Sequence, residues 1–387
     1  MGQAVQHGQK GRGTLRTLEL SRFIAALMVM LCHVVPYANL HAATPADRVF
    51  GAMLFPGSLG VQYFFVLSGF VMASAHYGDF GRLGAVPMFW WRRICRIYPV
   101  YWLALCIPGY YLLRGITPAI GLHMALLDPF FDPQGQEFIP TAWTLRYEMT
   151  FYIMFGLCLL PYIGKPLLGI WIALTFWHCV DPTLQLLHPP RSMPFYWFIH
   201  YHATRFVSFL DFYFFGGLAA GFAYVKWRPG RRAGMALLGV SLAVLLAILP
   251  VEDWGYDYSA MPGFMAVMAL VIGGNILGLA VMERNGLFRL GGYAGWAGAM
   301  SYPLYLFHAP MLLFINNSFP WGPHHMVSLY ARFTLICAAI FGVTGLVTFC
   351  YDQPLQRALR RLTKSLWSQP AAGTPIPPGA GGSSWAG

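Results

Sequence analysis

The chain has 387 residues, of which 57% are hydrophobic and only 10% charged. Soluble domains carry about 25% charged residues, so this composition excludes a water-soluble globular enzyme and places the chain in a bilayer. The formal net charge of +11 is spread over several loops and not gathered into one basic patch, which argues against nucleic-acid binding.

The apolar stretches run to about 20 residues and do not alternate, the pattern of spanning helices and not of a β-barrel. About ten spans follow in chain order, over residues 18–37, 55–75, 98–113, 143–160, 167–187, 206–225, 235–249, 262–282, 302–319 and 328–350. A short apolar segment over 116–127 reads as re-entrant or interfacial. The expected fold is all-α, a polytopic transmembrane helix bundle. Residues 1–17 form an N-terminal tail, 18–366 the membrane domain, and 367–387 a Pro- and Gly-rich tail expected to be disordered.

The first span carries Arg22 and His33, eleven positions apart. At about 100° per residue the two side chains return to nearly one helix face, roughly 16 Å apart along the axis. Ionisable groups in a spanning helix are costly and usually face the bundle interior or a wet cavity. In the second span, Ser68-Gly69 reads as a small-residue contact between helices, as does Gly216-Gly217 in the sixth. Arg92, Arg93 and Arg96 precede the third span. They cluster on one side of a helix end, either as a topology signal or as a seat for phosphate groups. Glu148 lies one turn into the fourth span, able to pair with Arg146 or Arg205 or to serve a site. In the ninth span, His308 follows Ser301 and Tyr302 by about a turn and a half.

Orientation follows from the basic residues. With the N-terminus in the cytoplasm, all of the 25 Lys and Arg residues except Arg48, Arg114, Arg146, Arg191, Arg205 and Arg332 fall on the cytoplasmic side. That bias predicts both termini inside. The first apolar segment is long and lacks a small-residue cleavage site, so no signal peptide is expected. The seven Cys residues sit in or beside apolar segments without a CxxC pair and read as core thiols. His200-Tyr201-His202 and His324-His325 lack an evident third ligand, so no metal is expected.

Six local patterns occur in one order: Leu18-Glu19-Leu20-Ser21-Arg22 running on to His33; Gly60-Val61-Gln62-Tyr63-Phe64-Phe65-Val66-Leu67-Ser68-Gly69-Phe70; Arg92-Arg93-Ile94-Cys95-Arg96-Ile97-Tyr98-Pro99; Trp143-Thr144-Leu145-Arg146-Tyr147-Glu148 with Phe151-Tyr152; Ser301-Tyr302-Pro303-Leu304-Tyr305-Leu306-Phe307-His308; and Tyr351-Asp352-Gln353-Pro354. This series resembles the acyltransferase-3 family, bacterial membrane acyltransferases that O-acetylate surface and exported polysaccharides. The resemblance runs from Leu18 to Pro354. It departs from the usual pattern at Glu19 and Gln62, where Asp is common, at Asp352, where Glu is common, and at Arg146 and Tyr147, where small or aliphatic residues are usual.

The resemblance implies an enzyme, an acyltransferase for groups other than aminoacyl groups. Acetyl-CoA, or another acyl-CoA, is the expected donor substrate, with no permanently bound cofactor. The expected acceptor is a hydroxyl of a polysaccharide, oligosaccharide or glycolipid, and the expected location is the bacterial inner membrane. The lipid bilayer is a partner and nucleic acid is not; polysaccharide export machinery stays open as a further partner. The family's functional first-helix Arg and His match Arg22 and His33, and its cytoplasmic Arg-x-x-Arg matches Arg93 and Arg96 as donor-binding residues. Glu148, Trp143, Tyr152, Ser301, Tyr302 and His308 are candidate acceptor or supporting residues, and Trp143 and Tyr152 can stack on sugar rings.

Imidazole titrates near neutrality, so His33 can take a proton from an acceptor hydroxyl, or form an acyl-His intermediate. Two rival readings stay open on the residues alone. One is a transporter with Arg22, His33, Glu148 and His308 lining a proton or solute path. The other is a structural partner in an export complex.

Overall fold

The computed structural model describes residues 15–38, 57–112, 139–180, 206–248, 262–318 and 329–368. The predicted segment over 116–127, the His200-His202 and His324-His325 groups, Arg48, Arg114, Arg191 and Arg205, and the tails at 1–14 and 369–387 lie outside them.

Among the described residues the structure is helical, without strands. The helices are α1 (Arg16–Tyr37), α2 (Gly57–His76), α3 (Ala85–Leu112), α4 (Ala142–Cys158), α5 (Gly164–Val180), α6 (Asp211–Lys226), α7 (Arg231–Ile248), α8 (Pro262–Arg284), α9 (Gly292–Ser318) and α10 (Leu329–Leu346). A π-helical stretch at Val347–Asp352 joins α10 to α11 (Gln353–Ser368). Each of the ten segments read from sequence carries a helix. Among the described residues, six helical stretches are long and apolar enough to cross a membrane: those of α1, α2, α7, α8 and α9, and the run from α10 into α11. α4 and α6 have 17 and 16 residues, short of the roughly 20 that cross a hydrocarbon core unaided. α3 spends its early turns on three arginines.

Two predicted boundaries are corrected. α3 begins at Ala85 and α9 at Gly292, well before the predicted starts at 98 and 302. A hydropathy reading sees only the stretch that prefers lipid, whereas the helical backbone continues into the interface. Arg92, Arg93 and Arg96 therefore stand on a rigid helix and not in a loop.

The most extensive helix contacts are α2 with α6 and α1 with α9. Glycine makes both possible. A Cβ at Gly217 would run into the Val66 carbonyl oxygen, and one at Gly298 would stand 2.6 Å from Glu19 Cβ. This is the close backbone approach expected of small residues between membrane helices. The larger core lies around α2, α4 and α6, where Phe151 stacks on Phe214 at 4.7 Å between ring centroids.

Helix starts are capped by carboxylates. The Ser208 amide donates to Asp211 (2.9 Å) and the Leu210 amide to the Ser208 hydroxyl (3.3 Å) at the head of α6, a local exchange of the capping-box kind. α1 has only Leu15 at its N-cap position. Its first amides, Arg16 and Thr17, donate instead to Glu283 at the end of α8, both at 2.8 Å, and the Thr17 hydroxyl adds a third bond at 2.6 Å. Glu283 thus satisfies orphan donors and complements the helix dipole. Glu283→Ala is expected to destabilise the protein by about 1–3 kcal/mol, measured as a lowered melting temperature in detergent. An unchanged melting curve would show that the cap is dispensable.

Candidate active site

Arg22 of α1, Arg93 and Arg96 of α3, Glu148 and Tyr152 of α4, and Tyr302 of α9 line a single cavity of about 210 Å³. With α2, which adds Ser68 to the wall, five helices distant in sequence converge on one charged chamber inside the bundle. Glu148 is its carboxylate. It accepts hydrogen bonds from the Ser68 hydroxyl (3.1 Å) and from the Tyr152 hydroxyl. The Arg93 guanidinium lies 5.0 Å from the Tyr152 ring centroid and 5.4 Å from that of Phe89, and Arg96 lies 5.4 Å from that of Tyr302. Arginine stacks on aromatic faces in this way while keeping its N–H fork for other partners. Arg96 also donates to Asp352 at 3.3 Å. Asp352 sits in the π-helical stretch between α10 and α11, a distortion often found at functional sites.

The aromatic frame is pinned. The Tyr302 hydroxyl donates to the Ile97 carbonyl (2.9 Å), and the Trp90 indole donates to the Tyr152 carbonyl (3.0 Å). At another part of the wall, the Thr144 and Tyr305 hydroxyls share a hydrogen bond of 2.8 Å.

His33 is not part of that lining. It stands near the C-terminal end of α1, half-buried, with its ring centroid 5.1 Å from that of His308. His308 is fully buried, and its ring lies 5.9 Å from Tyr305, which does line the cavity. Tyr305 and His308 therefore bridge the chamber to His33. Each imidazole places Nδ1 on a carbonyl one turn back in its own helix, Val29 at 2.8 Å and Leu304 at 3.2 Å. A carbonyl can only accept, so Nδ1 carries the proton and the neutral ring presents a lone pair at Nε2. Both rings are thus set in the tautomer that leaves Nε2 able to take a proton. Among the described residues, His308 Nε2 has no hydrogen-bond partner.

Two sequence candidates stand apart. The Ser301 hydroxyl donates to the Gly298 carbonyl in its own helix at 2.7 Å. Trp143 packs edge-on against Tyr147 at 6.2 Å, and neither residue lines the cavity.

A second cavity, of about 420 Å³, adjoins the first and shares Arg93 and Arg96 with it. Its remaining walls include Arg92 and, from α11, Arg360 and Lys364. Sequence reading passed over several contributors. Ser68 was absorbed into a packing motif. Thr144, Tyr305 and Asp352 fall in motifs that assign them no role, and Arg360 and Lys364 bear in sequence only on topology. The signal for the last two was their place on one face of a basic amphipathic stretch.

The acyltransferase domain of the acyltransferase-3 family matches residues 15–352. The chain is 28% identical over 335 residues to the exopolysaccharide production protein ExoZ of Rhizobium meliloti (strain 1021), covering 80% of this chain and 93% of that protein. It is 32% identical over 154 residues to acyltransferase MdmB of Streptomyces mycarofaciens, covering 35% of this chain and 37% of that one. It is also 33% identical over 119 residues to protein 2 in the picA locus of Rhizobium radiobacter, covering 28% and 62%. No solved structure matches. With the match covering nearly the whole helical bundle and its charged chamber, the chain belongs to the acyltransferase-3 family and is a membrane acyltransferase.

Proposed function

We propose that the protein transfers an acyl group, acetyl from acetyl-CoA, to a hydroxyl of a glycan or glycolipid at the bacterial inner membrane. The observation that carries this reading is the pair of cavities joined at Arg93 and Arg96, with the tautomer-set His33–His308 pair beyond the inner one. Acyl-CoA is a polyanion with a long thin arm ending in a thioester. A guanidinium neck suits its diphosphate through paired charge-assisted bonds. The inner chamber suits the arm, and Arg22 and Glu148 offer a donor and an acceptor to its amides. The exopolysaccharide role in the name of the relative from Rhizobium meliloti supports a glycan acceptor. The basic residues flanking the spans support an orientation with the arginine neck facing the cytoplasm, where acyl-CoA is supplied.

In the transfer, His33 Nε2 takes the proton of the acceptor hydroxyl as its oxygen attacks the thioester carbonyl. The new C–O bond forms, the C–S bond breaks, and the coenzyme A thiolate leaves with the proton returned by the imidazolium.

Purified protein is expected to release free coenzyme A thiol from acetyl-CoA only when an acceptor is present. Arg93→Gln and Arg96→Gln are each expected to raise the donor KM by about tenfold or more, the value of a lost charge-assisted contact. Solute flux across proteoliposomes without thiol release would favour a transporter and end this reading.

A further inference from the structure

α11 supplies the outer cavity with one complete helix face. Gln356, Leu359, Arg360, Thr363 and Lys364 all line it, and their spacing of three and four residues places them on one stripe. The helix is tied to α3 by two residues of that stripe itself. Gln356 donates to the Cys95 carbonyl (2.9 Å), and the Trp91 indole donates to the Thr363 hydroxyl (3.0 Å), with Trp91 also against Trp367 at 6.5 Å. Between these ties the cavity wall gathers Arg92, Arg93, Arg96, Arg360 and Lys364, and no carboxylate belongs to the lining among the described residues. Asp352 is engaged with Arg96, and Asp79 with His76 at 2.8 Å. Five cations stand around one concave space of about 420 Å³, a charge and size that suit a multiply phosphorylated group.

The division of the cations is informative. Arg93 and Arg96 belong to both cavities, so they sit at the neck, where the donor's diphosphate meets its arm. Arg360 and Lys364 belong only to the outer cavity, one turn apart on α11. Resting on the donor reading above, we infer that Arg360 and Lys364 recognise the ribose 3′-phosphate of coenzyme A, making α11 the element that distinguishes coenzyme A from carriers that lack this phosphate. Arg357 and Arg361 share the helix but do not line the cavity, and they provide internal controls of equal charge.

The test uses the full-length protein in nanodiscs of phosphatidylcholine and compares coenzyme A with 3′-dephospho-coenzyme A by calorimetry. Wild type is expected to bind coenzyme A about tenfold or more tightly than the dephospho form. The double variant Arg360→Gln/Lys364→Gln is expected to lose that preference while keeping the affinity for dephospho-coenzyme A. Arg357→Gln/Arg361→Gln is expected to retain the preference. An unaltered preference in the Arg360/Lys364 variant overturns the inference, as does an equal loss for both ligands. In discs containing phosphatidylglycerol, competition that abolishes coenzyme A binding by wild type would assign the seat to a lipid headgroup phosphate and overturn it too. Wild type binding neither ligand would overturn the donor reading itself, an outcome separate from a preserved affinity without discrimination.

Discussion

His33→Ala is expected to lower acyl transfer by about 10²–10⁴-fold, the usual worth of a positioned general base, while the protein still accumulates in the membrane. The structural cost is small because His33 is half-buried and its Nδ1 bond is to Val29, within the same helix. Among the described residues, no other element loses a hydrogen bond that the ring makes. His308→Ala serves as the contrast. That ring is fully buried, so its truncation opens a void between α1 and α9 and costs stability as well as activity. Mass spectrometry of surface glycans from cells carrying each variant, with membrane levels measured in parallel, reads both effects. Full glycan acetylation by His33→Ala at normal membrane levels would remove His33 from the mechanism.

The first-helix pair could be read from sequence because an ionisable residue in an apolar span is a strong local signal, and helical periodicity alone relates Arg22 to His33. Neither periodicity nor composition shows what the other helices bring. Arg22 shares its chamber with Arg93 and Arg96 only because the bundle brings α1 to one cavity with α3, α4 and α9. Ser68 is invisible for a different reason. A small residue beside Gly69 in a spanning helix has packing as its ordinary explanation, and Gly69 does meet the Phe214 carbonyl; the same turn nevertheless aims the Ser68 hydroxyl at Glu148. α11 escaped because its apolar residues are too few for a span, and its basic residues satisfied the topology rule without further question. Their shared face becomes visible only once α3 stands opposite.

Glu148 carries the second large expectation. The inner chamber places three guanidinium groups, from Arg22, Arg93 and Arg96, around this carboxylate. These four side chains are half-buried, so removing the carboxylate from among the three cations costs about 1–3 kcal/mol. Glu148→Ala also strands the Ser68 and Tyr152 hydroxyls that donate to it. A melting temperature well below wild type, with little activity, is therefore expected. Glu148→Gln separates charge from shape, since its amide oxygen can still accept from both hydroxyls. This variant is expected to fold, but in a more positive chamber that holds the anionic carrier more tightly before and after transfer. Its donor KM should fall together with kcat, each by about tenfold, as expected when carrier binding is strengthened without a gain in the transition state. If Glu148 only anchored Ser68 and Tyr152, glutamine would leave both constants unchanged. Steady-state kinetics of the purified variant decides between a charge that balances the chamber and a scaffold that merely fills it.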